Sequence, residues 1–188
     1  MGLFDFLKPK SEKEKQIERE KAALKSLAEF SRKNGDYYHA FYYEHKPVIE
    51  LYEQQITGEL IRSKQIDDAG NVPQIIQTCL NIYDSFRRWC EDQPGGKDFY
   101  NKYIQLGPGE LNRVERLERK LSDANYIYYT VVPGILERAR EDGGVKQADL
   151  CHAFNVGRDQ VLFEIRRLEM DEQVRTEKRG KYVYIIGK

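Results

Sequence analysis

Most of the features that would assign a chemistry at once are missing from this sequence. Its 188 residues include three cysteines, Cys79, Cys90 and Cys151. An odd number with no Cys-x-x-Cys spacing predicts neither a disulfide scaffold nor a zinc site. His39, His45 and His152 are scattered, with no His-x-x-x-His. Cys151 and His152 are adjacent, and neighbours on a helix point about 100° apart, so no metal site is expected. Neither GxxxxGK[ST] nor GxGxxG occurs, and Pro94-Gly95-Gly96 and Gly107-Pro108-Gly109 read as turns. No spacing marks a nucleophile with its base, so the chain is expected to be non-enzymatic and to carry no cofactor. No run approaches the ~20 apolar residues of a membrane helix, and the mean hydropathy is −0.74. A charge excess is missing too. Lys and Arg total 31, as do Asp and Glu, so bulk charge argues neither for nucleic acid nor for an acidic partner.

What is present is enough for a core. Hydrophobic residues make up 40% of the chain and thirteen residues are Tyr, which excludes wholesale disorder. The length suits one domain, or a helical module with a small second one. Unpaired cysteines without a secretory signal fit a reducing compartment, and a cytoplasmic location is expected. The opening MGLFDFLK has a short apolar patch, and the Ser or Thr that myristoylation favours is replaced by Phe6. The patch reads as a frayed or docked terminus, too short for an interfacial anchor.

Periodicity divides the chain into a charged arm (1–20), a helical domain (21–121) and a carboxy-terminal domain (122–188). Ser11 and Glu14 form a capping box, and the helix they open is expected to stop at Asn34-Gly35. Tyr38, Phe41, Tyr42, His45, Val48, Ile49, Tyr52, Ile56 and Leu60 step by three or four. Pro47 is expected to kink this segment or begin a new helix. Asp67-Asp68-Ala69-Gly70 reads as a loop, and a helix over about 73–92 follows, with Ile76, Cys79, Leu80, Tyr83, Phe86 and Cys90 on one stripe. A shorter helix near 97–105 and one through Leu111, Val114, Leu117 and Leu121 come next. Tyr37, Tyr38, Tyr42, Tyr43 and Tyr52 could stack on bases or line a groove. Their helical period favours a core of rings with wet hydroxyls. GDYYHAFYYEHK and GNVPQIIQTCLN lie 35 residues apart and resemble the turn and second helix of tetratricopeptide repeats. Ile75 stands where the first copy has Ala40, so helical hairpins are the expectation.

The region after residue 121 has a different pattern. Tyr126–Val132 is β-prone and fits either a strand or the inward face of a linker helix. Ile135–Ala139 is helical and closes at Gly143-Gly144. A second helix carries Ala148, Leu150, Cys151, Ala153 and Phe154. The turn Asn155-Val156-Gly157 leads to a third, with Val161, Leu162, Ile165 and Leu168. Two β-prone runs then flank Lys178-Arg179-Gly180-Lys181, as in a hairpin.

This order resembles the winged helix of the GntR and MarR classes of bacterial regulators, over residues from about 130 to the end. The fold expected is therefore mainly α: amino-terminal helical hairpins and a carboxy-terminal winged helix whose wing is a small β-hairpin. The resemblance implies a third helix that reads a groove through Arg158, Asp159, Gln160, Phe163, Arg166 and Arg167. It implies a wing that meets phosphates through Arg175, Lys178, Arg179 and Lys181.

Departures from the pattern set a second expectation beside DNA binding. Gly157 replaces the usual Ser or Thr cap, and Glu172 replaces the Gly that follows the third helix, suggesting a different helix exit. Helical rotation places Phe163 outward, with no hydrogen bond for a base edge. Residues 122–188 hold eleven Lys/Arg against eleven Asp/Glu, whereas duplex binding favours a positive face. The alternative to a DNA-binding, regulator-like protein with double-stranded DNA as partner is a protein-interaction module. In it the winged helix is a scaffold, and Leu162 and Phe163 meet a protein partner or a second copy.

Overall fold

The computed structural model describes residues 11–65, 71–107 and 109–188. The MGLFDFLK patch and the Asp67–Gly70 loop lie outside them. The chain divides into two compact units. One runs up to Ile56 and includes Ile82–Arg113, and the other takes Thr57–Asn81 and Val114–Lys188.

In the first unit, α1 (Glu12–Lys33) starts at the capping box. The Ser11 N–H donates to Glu14 Oε2 at 2.7 Å, and the Glu14 N–H returns to Ser11 Oγ at 3.2 Å. It stops where Gly35 takes φ +75° and the Asp36 N–H bonds Ser31 O at 2.9 Å. Helix α2 (Tyr37–Arg62) runs through Pro47 without interruption, so no new helix begins there. Proline removes only the one N–H that Tyr43 O would have accepted. Phe41 and Ile49, on either side of it, are buried and hold the flanking turns in place.

Helices α3 (Val72–Glu91) and α4 (Gly96–Gln105) complete this core. Tyr38 and Phe41 stack on Phe99 with centroids 4.8 and 4.5 Å apart, and Tyr52 meets Phe86 at 4.8 Å. Tyr37 is exposed. Tyr38, Tyr42, Tyr43 and Tyr52 of the tyrosine stripe are half-buried, and of these Tyr38 and Tyr52 pack their rings against buried phenylalanines at the edge of the core. Tyr100 and Tyr103, outside that stripe, are buried more deeply. Tyr100 donates to Tyr83 O at 3.3 Å and Tyr103 to Glu53 Oε1 at 3.0 Å, so each buried hydroxyl has a partner. Burial pushes the Cys90 thiol up to about 12 and, in the second unit, the Cys79 thiol up to about 11. Both stay protonated and inert near neutral pH.

The second unit contains α5 (Arg113–Tyr126, from Val114 onward), a π-helical turn (Ile127–Val131) and α6 (Val132–Ala139), one after another without a break. The β-prone run at 126–132 is therefore helical. Its widened turn has the Val132 N–H bonding Ile127 O, just before Pro133. A proline ring crowds the carbonyl four residues earlier and offers it no donor, and a wider turn relieves both problems. Val131 and Val132 are buried while Tyr128 and Tyr129 face outward.

Then follow β1 (Val145–Lys146), α7 (Gln147–Ala153), α8 (Arg158–Met170), β2 (Val174–Arg179) and β3 (Tyr182–Gly187). The sheet is antiparallel in the order β1-β3-β2. The two-residue strand β1 was not anticipated, being too short to show alternation. It pairs Val145 with Ile185. Gly144 leads into it at φ +72°, where an added Cβ would lie 2.4 Å from Ile185 O, so only glycine fits. Ile135, Leu150, Val161, Ile165, Leu168, Val174 and Ile185 are all buried in one cluster. One face of each helix and of the sheet is spent there.

The exit from α8 corrects the expectation drawn from Glu172. The Gln173 N–H bonds Leu168 O at 2.9 Å and the Glu172 N–H bonds Glu169 O at 3.1 Å. These are the two bonds of a Schellman cap, with Glu172 at φ +57° in the position glycine usually takes. The exit has the same geometry as a glycine exit, and a side chain is strained into it. Glu172→Gly is expected to raise stability by about 0.5–1 kcal/mol, read as a higher urea midpoint at unchanged slope. An unchanged or lower midpoint would contradict the strain.

Candidate functional site

The residues expected to act together lie on α8 and the β2–β3 hairpin. Val161, Ile165 and Leu168 face the core, as the helical rotation predicted. The other side of α8 is less open than expected. Phe163 is half-buried. It shares a cavity of about 440 Å³ with Ile76, Ala124, Ile127 and Val132, all within the second unit. The start of α3 and the π-helical turn bring apolar side chains to the same cavity. Leu162 is half-buried as well.

Glu164, which the sequence did not single out, organises the same side of the helix. It is 4% exposed. Gln160 Nε2 donates to its Oε1 at 2.8 Å and Arg167 Nε to its Oε2 at 3.0 Å. Arg167 also bonds Asp171 at 3.2 Å, and its side chain is 12% exposed. Gln160 and Arg167 were expected to face nucleic acid. They are instead consumed in satisfying a buried carboxylate, which would be costly to leave unpaired.

On the hairpin, Arg179 donates to Glu177 at 2.8 Å and to Gly143 O at 2.8 Å, and its guanidinium lies over the Tyr184 ring. Those guanidinium contacts hold the Glu177 carboxyl below its usual range. Arg175 lies 3.9 Å from the same carboxylate. Thr176 ties the hairpin to α8 through its N–H, which bonds Glu169 Oε1 at 2.9 Å. Arg158, Arg166, Lys178 and Lys181 are exposed. None of these four has an acidic partner among the described residues.

A second cleft, of about 290 Å³, brings together Lys146, His152, Arg158 and Lys181, with Cys151 and Tyr182. Lys146 Nζ sits 4.6 Å from the Tyr182 ring centroid and Lys181 Nζ 5.1 Å from it. No Asp or Glu lines this cleft. Burial raises the Cys151 thiol pKa, against a smaller opposing pull from the Arg158 charge. Lys146 carries no local sequence signal, and His152 stands out in the sequence only as a neighbour of Cys151. Lys146 reaches the cleft because β1 pairs it with Tyr184, two residues along β3 from Tyr182. No local pattern announced that pairing.

No protein-family model matches this chain, and no curated protein or solved structure matches it either. The site therefore has to be interpreted from its own residues. Among the described residues, no group of three His, Cys, Asp or Glu is placed to hold a metal ion, and no helix is long and apolar enough to cross a membrane.

Removing the Glu164 carboxylate strands the Arg167 guanidinium and the Gln160 amide. Glu164→Ala is expected to destabilise the second unit by about 3 kcal/mol, the lower end of the range for breaking a buried pair, because Asp171 remains. Chemical denaturation would measure it. A loss under about 1 kcal/mol would mean that the network is merely superficial.

Proposed function

We propose that residues 122–188 act as a winged-helix module that binds double-stranded DNA without catalysis, chiefly through the phosphate backbone. The observation that carries this reading is the distribution of free cations. Arg158 and Arg166 on α8, and Lys178 and Lys181 on the hairpin, are exposed and without acidic partners among the described residues. Helix, short strand, two helices and a hairpin, joined in the sheet order β1-β3-β2, support the winged-helix assignment. Phosphate contacts need cations at suitable spacing and no base-reading side chain.

Base reading has less support. Gln160 and Arg167, two of the α8 side chains suited to bidentate base contacts, are already engaged by Glu164, which leaves Arg158 and Arg166 to supply any such contact to guanine. The expected behaviour is salt-sensitive binding with little sequence preference. Anisotropy of a labelled duplex, titrated at several salt concentrations, tests it. Changing Arg166, Lys178 and Lys181 together to Ala should lower affinity and flatten the salt slope by roughly one per lost phosphate contact. No binding at low salt, or an unchanged slope in that variant, would overturn the reading.

A protein-contact surface is the second reading. Its support comes from Tyr126, Tyr128 and Tyr129 around the π-helical turn, with Tyr129 70% exposed, since exposed aromatic clusters favour protein interfaces. On this reading Tyr129→Asp shifts the elution volume of an assembled species in sizing chromatography. An unchanged profile at all protein concentrations counts against self-association through this surface.

A further inference from the structure

The cleft between β1, α7, the start of α8 and the start of β3 has a composition that duplex binding alone does not require. Lys146 comes from β1, His152 from α7, Arg158 opens α8, and Lys181 begins the return of the hairpin. They come from different elements, so helical or strand periodicity does not group them. The two lysine ammonium groups converge on one ring, that of Tyr182. Lys146, Arg158 and Lys181 carry fixed positive charge at neutral pH and have no acidic partner among the described residues. Like charges gathered around a small concavity repel one another, and the arrangement is relieved when an anion occupies it.

The chemistry of the lining selects the anion. Arg158 offers a planar fork of N–H donors, Lys146 and Lys181 offer point charges, and the His152 imidazole can donate one further hydrogen bond. Such a set, drawn from several directions, suits the tetrahedral oxygens of a phosphate better than the flat edge of a carboxylate. Asp159, on the first turn of α8, does not line the cleft and so does not compete for it. The cleft volume of about 290 Å³ accommodates a phosphate group with room for part of whatever it is esterified to.

We propose that Lys146, His152, Arg158 and Lys181 form a phosphate-binding site. The phosphate is either that of the DNA backbone or that of a free phosphate ester. The site stands whether or not the chain binds duplex.

The test uses the full chain, labelled with nitrogen-15 and titrated with inorganic phosphate at low ionic strength. The expected result is saturable shifts at the amides of residues 146–152, 158 and 181–183. Affinity should fall about tenfold for each of Lys146→Ala and Arg158→Ala. Lys146→Arg, which keeps the charge and the ring contact, should retain binding. No shift up to millimolar phosphate, or shifts that survive Lys146→Ala with Arg158→Ala, overturns the site. A parallel arm measures a labelled duplex with Lys146→Ala, a residue outside the hairpin and α8. Weaker duplex binding with competition by phosphate assigns the site to the DNA backbone. Unchanged duplex binding with phosphate binding lost assigns it to a free phosphate ester. Failure of duplex binding alone leaves the phosphate shifts in place, so the two readings fail separately.

Discussion

A single carboxylate inside α8 governs what the cations around it are free to do. Glu164 is buried, and a buried carboxylate must be matched by donors or it destabilises the fold. Gln160 and Arg167 supply those donors. Both lie within one helical turn, so the match is local and leaves no slack. Other cations of the chain pair with carboxylates in the same way, Arg32 with Glu44, Arg87 with Asp84 and Arg179 with Glu177 among them. Other cations, such as Lys25 and Lys33 on α1 and Arg119 and Lys120 on α5, are exposed and also lack an acidic partner among the described residues. Several of the unpaired cations gather at the start and outer side of α8, on the hairpin, and around the cleft that Lys146 joins.

The hydrophobic cluster beneath makes that distribution rigid. Ile135, Leu150, Ile165 and Ile185 come from three helices and the central strand, and all are below 2% exposed. Each element spends one face on this cluster, so the orientation of its other face is decided. Strand β3 is central in the sheet. Fixing Ile185 in the core sends Tyr184 and Tyr182 to the other face, where Arg179 and the two lysines meet their rings. Packing and charge placement are thus two consequences of one register.

Much of the architecture was legible in the residues themselves. The Ser11–Glu14 capping box, the stop at Gly35, and the helix–helix–hairpin order after residue 143 all rest on interactions within a few residues. Local signals failed where a longer-range term outweighed them. Pro47 predicted a kink or a new helix, and no new helix begins there because buried residues on both sides carry α2 through. Tyr126–Val132 was ambiguous because strand and helix propensity compete there, and the widened turn before Pro133 settled it as helix. Glu172 suggested an altered exit, yet the Schellman bonds held it in a glycine conformation. Phe163 followed the helical rotation but found a cavity built by residues dozens of positions away.

The sequence by itself determined the elements that depend on neighbours along the chain: caps, turns, the apolar stripes of the helices and the hairpin with its four cations. Those signals act over one or two turns and need no partner from elsewhere. Only the tertiary structure decided which charges remain available. For Gln160, Arg167 and Arg179 the partner is a carboxylate within four residues along the chain, and what packing added there was the burial of Glu164. For Lys146 the partner is the ring of Tyr182, on a strand 36 residues further along. Pairing of β1 with β3, burial of Glu164 and the cavity that Phe163 lines are all products of packing, so the chemistry of this face became visible only with the fold.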